Sequence, residues 1–84
     1  MSVPVTERIK RLIVDDLDFP TPSDFDAATP LFEGGVGMDS FAAVELIALI
    51  EAHFDIELAL SDIVPEHFAD VNSVARLVER YLSR

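Results

Sequence analysis

The 84-residue chain has no cysteine and no tryptophan, only three glycines, and no basic residue at all between Arg11 and Arg76. Without cysteine there can be no disulfide framework, no thiol nucleophile and no thiolate metal site, so stability has to come from packing. No segment approaches the roughly 20 consecutive apolar residues that a membrane span needs, and Met1-Ser2-Val3-Pro4 lacks the basic and apolar regions of a secretory signal. A cytoplasmic location is the default expectation. The missing basic middle also argues against nucleic acid, because phosphate recognition requires clustered Lys and Arg. Six basic residues stand against 16 acidic ones, a net charge of −10. Such a balance describes either a generic self-repelling soluble surface or an acidic docking surface for basic partners.

Half of the residues are hydrophobic, enough for one compact domain with one core, and the expectation is a single domain over 1–84. Val5, Ile9, Leu12 and Ile13 repeat at i, i+4, i+7 and i+8, which predicts a first helix from about Val3 to Asp16 with Ser2 as N-cap and Pro4 in its first turn. Pro20, Pro22, Pro30, Gly34, Gly35 and Gly37 then rule out a continuous helix from Leu17 to Met38. A structureless loop of about 20 residues is uncommon in a compact domain, so Phe19, Phe25, Leu31 and Phe32 are expected to pin this one to the core.

From Ser40 to Asp55 there is neither Gly nor Pro, and Ala, Leu and Glu dominate, predicting a second helix capped by Asp39 or Ser40. At about 100° per residue Ala43, Leu46, Ile47, Ile50 and Phe54 form a core face. Phe41, Val44, Glu45, Ala48, Glu51 and Asp55 share a sector that begins at Ser40 and is expected to face solvent. Asp62-Ile63-Val64-Pro65 leaves room for one short helical turn before Phe68. Val74, Leu77, Val78, Tyr81 and Leu82 then predict a final helix with Asn72 as N-cap. The fold class expected is all-α: a bundle of three main helices and one short helix, with a long loop after helix 1.

An enzyme would need a base or metal for Ser40, and His53 and His67 read as surface or boundary histidines out of its reach. Gly34-Gly35-Val36-Gly37 has no following Lys-Ser/Thr pair, so it is not a phosphate-cradling P-loop. Asp24 and Asp26 start like a calcium loop but lack its glycine and final glutamate. Ser40 taken alone reads as a helix N-cap.

The stretch Gly37-Met38-Asp39-Ser40-Phe41-Ala42-Ala43-Val44-Glu45-Leu46 resembles the attachment site of acyl carrier proteins, in which Asp-Ser-Leu opens the second helix and a Val-Glu-Leu-type segment follows. Thr29-Pro30-Leu31-Phe32 is similar to the family's loop ahead of the site, and Phe54-Asp55-Ile56-Glu57-Leu58 to its helix-two exit. The resemblance runs from Val5 to Leu82 and implies a four-helix carrier bundle, non-catalytic and monomeric. It implies 4'-phosphopantetheine carried covalently on Ser40, transferred from coenzyme A by a separate Mg²⁺-dependent phosphopantetheinyl transferase. The arm's thiol would hold acyl or aminoacyl groups as thioesters, supplied by a loading ligase or acyltransferase and used by downstream synthase or tailoring enzymes.

By the same resemblance Asp39, Phe41, Val44, Glu45, Ala48, Glu51 and Asp55 make up the partner-recognition face. Phe41 departs from the family's usual Leu, and Ala42 and Ala52 are neutral where many fatty-acid-synthesis carriers have acids, which points to secondary metabolism. Two alternatives stand beside this reading. One is a peptidyl or aminoacyl carrier for nonribosomal-type synthesis, for which Gly-Gly-His/Asp-Ser would be the more usual site. The other is an acidic interaction module that is never modified. The boundaries look like those of a free-standing protein working in trans.

Overall fold

The computed structural model describes residues 3–17 and 19–83. Helix α1, Val5–Arg11, continues through a wider π-helical turn, Leu12–Asp16. A long loop leads to α2, Ser40–Phe54; two 3₁₀ turns, Leu60–Asp62 and Pro65–Phe68, precede α3, Val71–Leu82. No strand occurs among the described residues, and no helix there is long and apolar enough to cross a membrane. The architecture is the all-α carrier-type bundle expected, with the single short helix replaced by two tight turns. Ile63 and Val64 lie between these turns outside helical backbone, Val64 extended at φ −130°, ψ 155°, and Pro65, which lacks an N–H, can only open the second.

One cluster of apolar side chains holds these pieces together. Ile9, Leu12 and Ile13 come from α1 and its π-turn, Leu46, Ile50 and Phe54 from α2, and Val71, Val74, Leu77 and Val78 from α3. No polar or charged side chain is buried among the described residues, so the core carries no unsatisfied polar group to offset its gain from burial. Phe25 and Leu31 are buried and Phe19 and Phe32 pack against the cluster, so the four residues expected to pin the long loop do so. The loop is also stitched to the entry of α3: Leu31 N–H donates to the Ala69 carbonyl at 2.9 Å and Asn72 N–H to the Ala27 carbonyl at 3.1 Å. At the other end Arg8 lies over the Phe54 ring at 4.4 Å and donates from Nε to His53 Nε2 at 3.2 Å, joining α1 to the exit of α2.

The helix ends differ from expectation in two places. The first helix opens at Val5 with Pro4 as the capping residue, not within its first turn, and no side chain caps it; the expected cap Ser2 lies outside the described residues. The third helix is capped by Asp70, whose Oδ1 accepts from Ser73 N–H at 2.8 Å, and not by Asn72. Helical backbone begins at Val71, whose side chain is fully buried, two residues earlier than a cap at Asn72 would allow. Asn72 N–H is left free to bind the loop.

Candidate functional site

The entry to α2 is set by the loop that precedes it. Gly34 and Gly37 adopt positive φ of 87° and 77°, and a side chain on Gly35 would collide with the Pro30 carbonyl oxygen, leaving only 2.0 Å. The resulting turn closes through Val36 N–H to Pro30 O and Gly37 N–H to Phe32 O, each 2.9 Å. Met38 N–H then donates to Leu31 O at 2.9 Å, and the Met38 side chain is buried. The chain is therefore anchored one residue before Asp39.

Asp39 has the extended backbone of an N-cap (φ −99°, ψ −179°), and its Oδ1 accepts from Ala42 N–H at 2.8 Å. Of the two caps the sequence allowed, Asp39 is the one used. Ser40 is therefore the first helical residue, and it is exposed. With Ala42 N–H bound to the cap and Ala43 N–H to the Asp39 carbonyl at 3.0 Å, the helical N–H groups at this end without a partner among the described residues are those of Ser40 and Phe41. Oriented N–H groups and the positive end of the helix dipole favour an anionic group close to Ser40.

Around Ser40 the face divides in two. Phe41 is 80% exposed and Val44 66%; Asp39, Ala48 and Asp55 are also exposed. Glu45 is half-buried. Glu51 departs from the fully solvated position its place on the helical wheel suggests: it is half-buried, and Oε2 accepts from Leu58 N–H at 2.9 Å. Asp55 likewise has a structural task, ending α2 in the left-handed conformation (φ 54°, ψ 50°), which Asp tolerates better than most residues. Ala42 is buried and faces the core, so it is not a surface position from which an acid is missing; Ala52 is exposed.

On another side of α2 lies an apolar cleft of about 310 Å³, lined by Phe32, Ala43, Ile47, Ile63, Val64, Pro65 and Phe68. Ala43 and Ile47 lie three and seven residues beyond Ser40, hence on its face of the helix. They were expected in the core proper, but they line this open cleft and remain half-buried, while the buried stripe of α2 is Ala42, Leu46, Ile50 and Phe54. Of the small residues of this helix, Ala43 lines the cleft, whereas Ala42 is in the core and Ala48 points to solvent. The cleft was only half legible in the sequence, because its far wall comes from the irregular segment around the 3₁₀ turns, where no periodicity marks a face.

The chain matches the family described as "Phosphopantetheine attachment site" over residues 7–80. It is 33% identical over 75 residues to an acyl carrier protein of Buchnera aphidicola subsp. Acyrthosiphon pisum (strain Tuc7), covering 89% of this chain and 85% of that protein. It is 30% identical over 78 residues to an acyl carrier protein of Phenylobacterium zucineum (strain HLK1), covering 93% and 94%. With a helical bundle, an exposed serine opening the second helix, and similarity that spans nearly the whole chain, this protein belongs to the acyl carrier protein family, whose members are non-catalytic carriers bearing 4'-phosphopantetheine.

Proposed function

We propose that Ser40 is the residue that carries the phosphopantetheine arm, and that the chain is a single carrier domain serving short acyl or aminoacyl cargo in secondary metabolism. The observation that carries the first part is the exposed Ser40 hydroxyl at the first position of α2, with the adjacent cap taken by Asp39 and two N–H groups unused beside it. These residues fit a phosphodiester: the helix end is electropositive, and bulk solvent or the apolar cleft can receive the arm. When attached, the arm supplies the thiol, and hence the thioester, that a cysteine-free chain lacks.

The family brings a phosphopantetheinyl transferase and acyl-handling enzymes as partners. The surface they would read is Phe41, Val44 and Ala48, an apolar strip flanked by Asp39, Glu45, Glu51 and Asp55. Glu51 also holds Leu58 and Asp39 also caps α2, so the carboxylates of this face with no such bond among the described residues are those of Glu45 and Asp55. For the cargo, the support is the cleft volume of about 310 Å³, at the lower end of the several hundred Å³ typical of ligand pockets.

Intact-mass measurement after incubation with coenzyme A and a permissive transferase tests the attachment. The wild-type protein gains one arm; Ser40→Ala gains none and keeps its far-ultraviolet circular dichroism. An arm on Ser40→Ala would overturn the assignment, and no gain on the wild type would favour the unmodified acidic interaction module. Melting temperatures of forms carrying progressively longer acyl chains test the cargo. A rise continuing into long chains would overturn the preference for short ones.

A further inference from the structure

Residues 59–67 form one wall of the cleft, yet none of them is buried. The segment runs between two buried anchors, Leu58 and Phe68, and Leu60 within it is 85% exposed. Most of its hydrogen bonds are internal: Asp62 N–H to Ala59 O at 2.9 Å, Ile63 N–H to Leu60 O at 3.1 Å, and His67 N–H to Val64 O at 3.0 Å. His67 Nδ1 also donates to Asp62 O at 2.7 Å. Bonds of this kind stiffen the strap without fixing its position relative to α2.

Among the described residues, the hydrogen bonds from this strap to another element end on one side chain. The Tyr81 hydroxyl of α3 accepts from Ala59 N–H at 2.8 Å and donates to Asp62 Oδ2 at 2.5 Å. Donor and acceptor capacity of one phenol thus clasp both ends of the first 3₁₀ turn, and the bond to a carboxylate is of the stronger, charge-assisted kind. Arg80 adds a long contact to Asp62 Oδ1 at 3.9 Å, exposed and therefore weak. Immediately beyond Asp62 come Ile63, Val64 and Pro65, three of the seven residues that line the cleft.

We propose that Tyr81 is a positioning residue that, through its clasp on Asp62 and Ala59, holds the cleft wall close to α2 and so limits the length of acyl chain the cleft admits. The inference rests on the reading that the arm on Ser40 delivers cargo to this cleft. Release of the clasp frees the wall at Asp62, while Leu58 and Phe68 keep the strap attached, so the cleft widens without unfolding of the bundle.

The test uses wild type, Tyr81→Phe, Asp62→Ala and the double variant, each loaded at Ser40 with acyl chains of increasing length. In the apo proteins, hydrogen exchange at the Ala59 amide should accelerate about five-fold in Tyr81→Phe, as loss of that amide's one acceptor implies, by less in Asp62→Ala, where the phenol still accepts from Ala59, and in the double variant no further than in Tyr81→Phe. In the loaded proteins, melting temperature should level off early in the wild type and only at longer chains in the variants. A merely structural role would lower every melting temperature equally and leave the two curves parallel. Parallel curves, flat curves in all proteins, or an unchanged Ala59 exchange rate would each overturn the proposal. The wild-type mass gain judges the attachment at Ser40 separately, and the shape of the wild-type curve alone judges cargo length.

Discussion

Asp39 stands at the point where the fold and the proposed recognition face meet, and two substitutions separate the two roles. Its Oδ1 satisfies Ala42 N–H at 2.8 Å, and its charge lies at the positive end of a 15-residue helix. Asp39→Ala removes both and should cost about 1 kcal/mol for the cap, with a further few tenths for the charge–dipole interaction. Asp39→Asn keeps an equally good cap acceptor and removes only the charge, so its cost should stay within those few tenths. For a domain of this size about 1 kcal/mol corresponds to a fall of roughly 4–8 °C in melting temperature. Urea denaturation should show the same loss as a lowered midpoint at unchanged slope. The transferase reaction reads the other role: if partners use the charge, both variants should be modified more slowly, Asn included, and the defect should shrink as salt screens the wild-type interaction. Equal destabilisation by Asn and Ala would refute the capping argument. A fully active Asn variant would remove the charge of Asp39 from recognition.

Charge reversal at the half-buried Glu45 should slow partner reactions and leave the melting temperature within about 2–4 °C, the effect of the roughly 0.5 kcal/mol that a site outside the core costs; urea and loading assays together check this. Glu51→Lys should instead destabilise by about 1 kcal/mol or more, because Leu58 N–H loses its acceptor, whereas Glu51→Gln should retain most of the stability. Asp26 sits in a turn where Ala28 N–H and the Thr29 hydroxyl both donate to its Oδ1, and the Ala28 bond first, then Thr29, hold its carboxyl below the ordinary 3.8. A depressed carboxyl stabilises the fold fully above that ordinary value and loses its contribution as pH falls through the lower folded value. Asp26→Asn should therefore flatten the acid limb of stability against pH in that window, read by melting between pH 2 and 5, and an unchanged limb would refute the turn's electrostatic role.

How much of this was legible in the sequence depends on whether a feature had a period. The three helices and most of the core follow from apolar residues at helical spacing, and the Asp39–Ser40 entry follows from a cap residue before a Gly- and Pro-free run. Where helices end, competing local bonds decide: Asn72 is chemically as good a cap as Asp70, and only the burial of Val71 and the bond from Asn72 to the long loop select between them. The helical wheel put Glu51 with the solvent-facing acids because it cannot represent the chain turning back past it at Leu58. It put Ala43 and Ile47 in the core because it cannot show that the element opposite them is an irregular strap and not a helix. Tyr81 was assigned to an apolar stripe, and its hydroxyl's two partners lie 19 and 22 residues away, beyond any local pattern.

These misreadings concentrate on one side of α2, and the physics explains why. The opposite side packs against helices through fully apolar side chains with no buried polar group, so its position is overdetermined by many small dispersion contacts and burial terms. The cleft side is closed by a segment with no buried residue, held by a clasp of two hydrogen bonds each contributing on the order of 1 kcal/mol. On the attachment proposed above, Ser40 has to stay in a fixed place for many partners while the cargo on its arm comes and goes. Packing an apolar core behind Ser40 provides the first requirement, and closing the space beside it with a few separable polar contacts provides the second. The same division predicts where substitutions do harm: truncating Leu46 or Ile50, both fully enclosed, should cost about 2–5 kcal/mol and unfold much of the population. Truncating Ile63 or Val64, half-buried on the strap, should cost far less and change chiefly the dependence of melting temperature on acyl-chain length. Equal losses at the two pairs of positions would show that the strap belongs to the core after all.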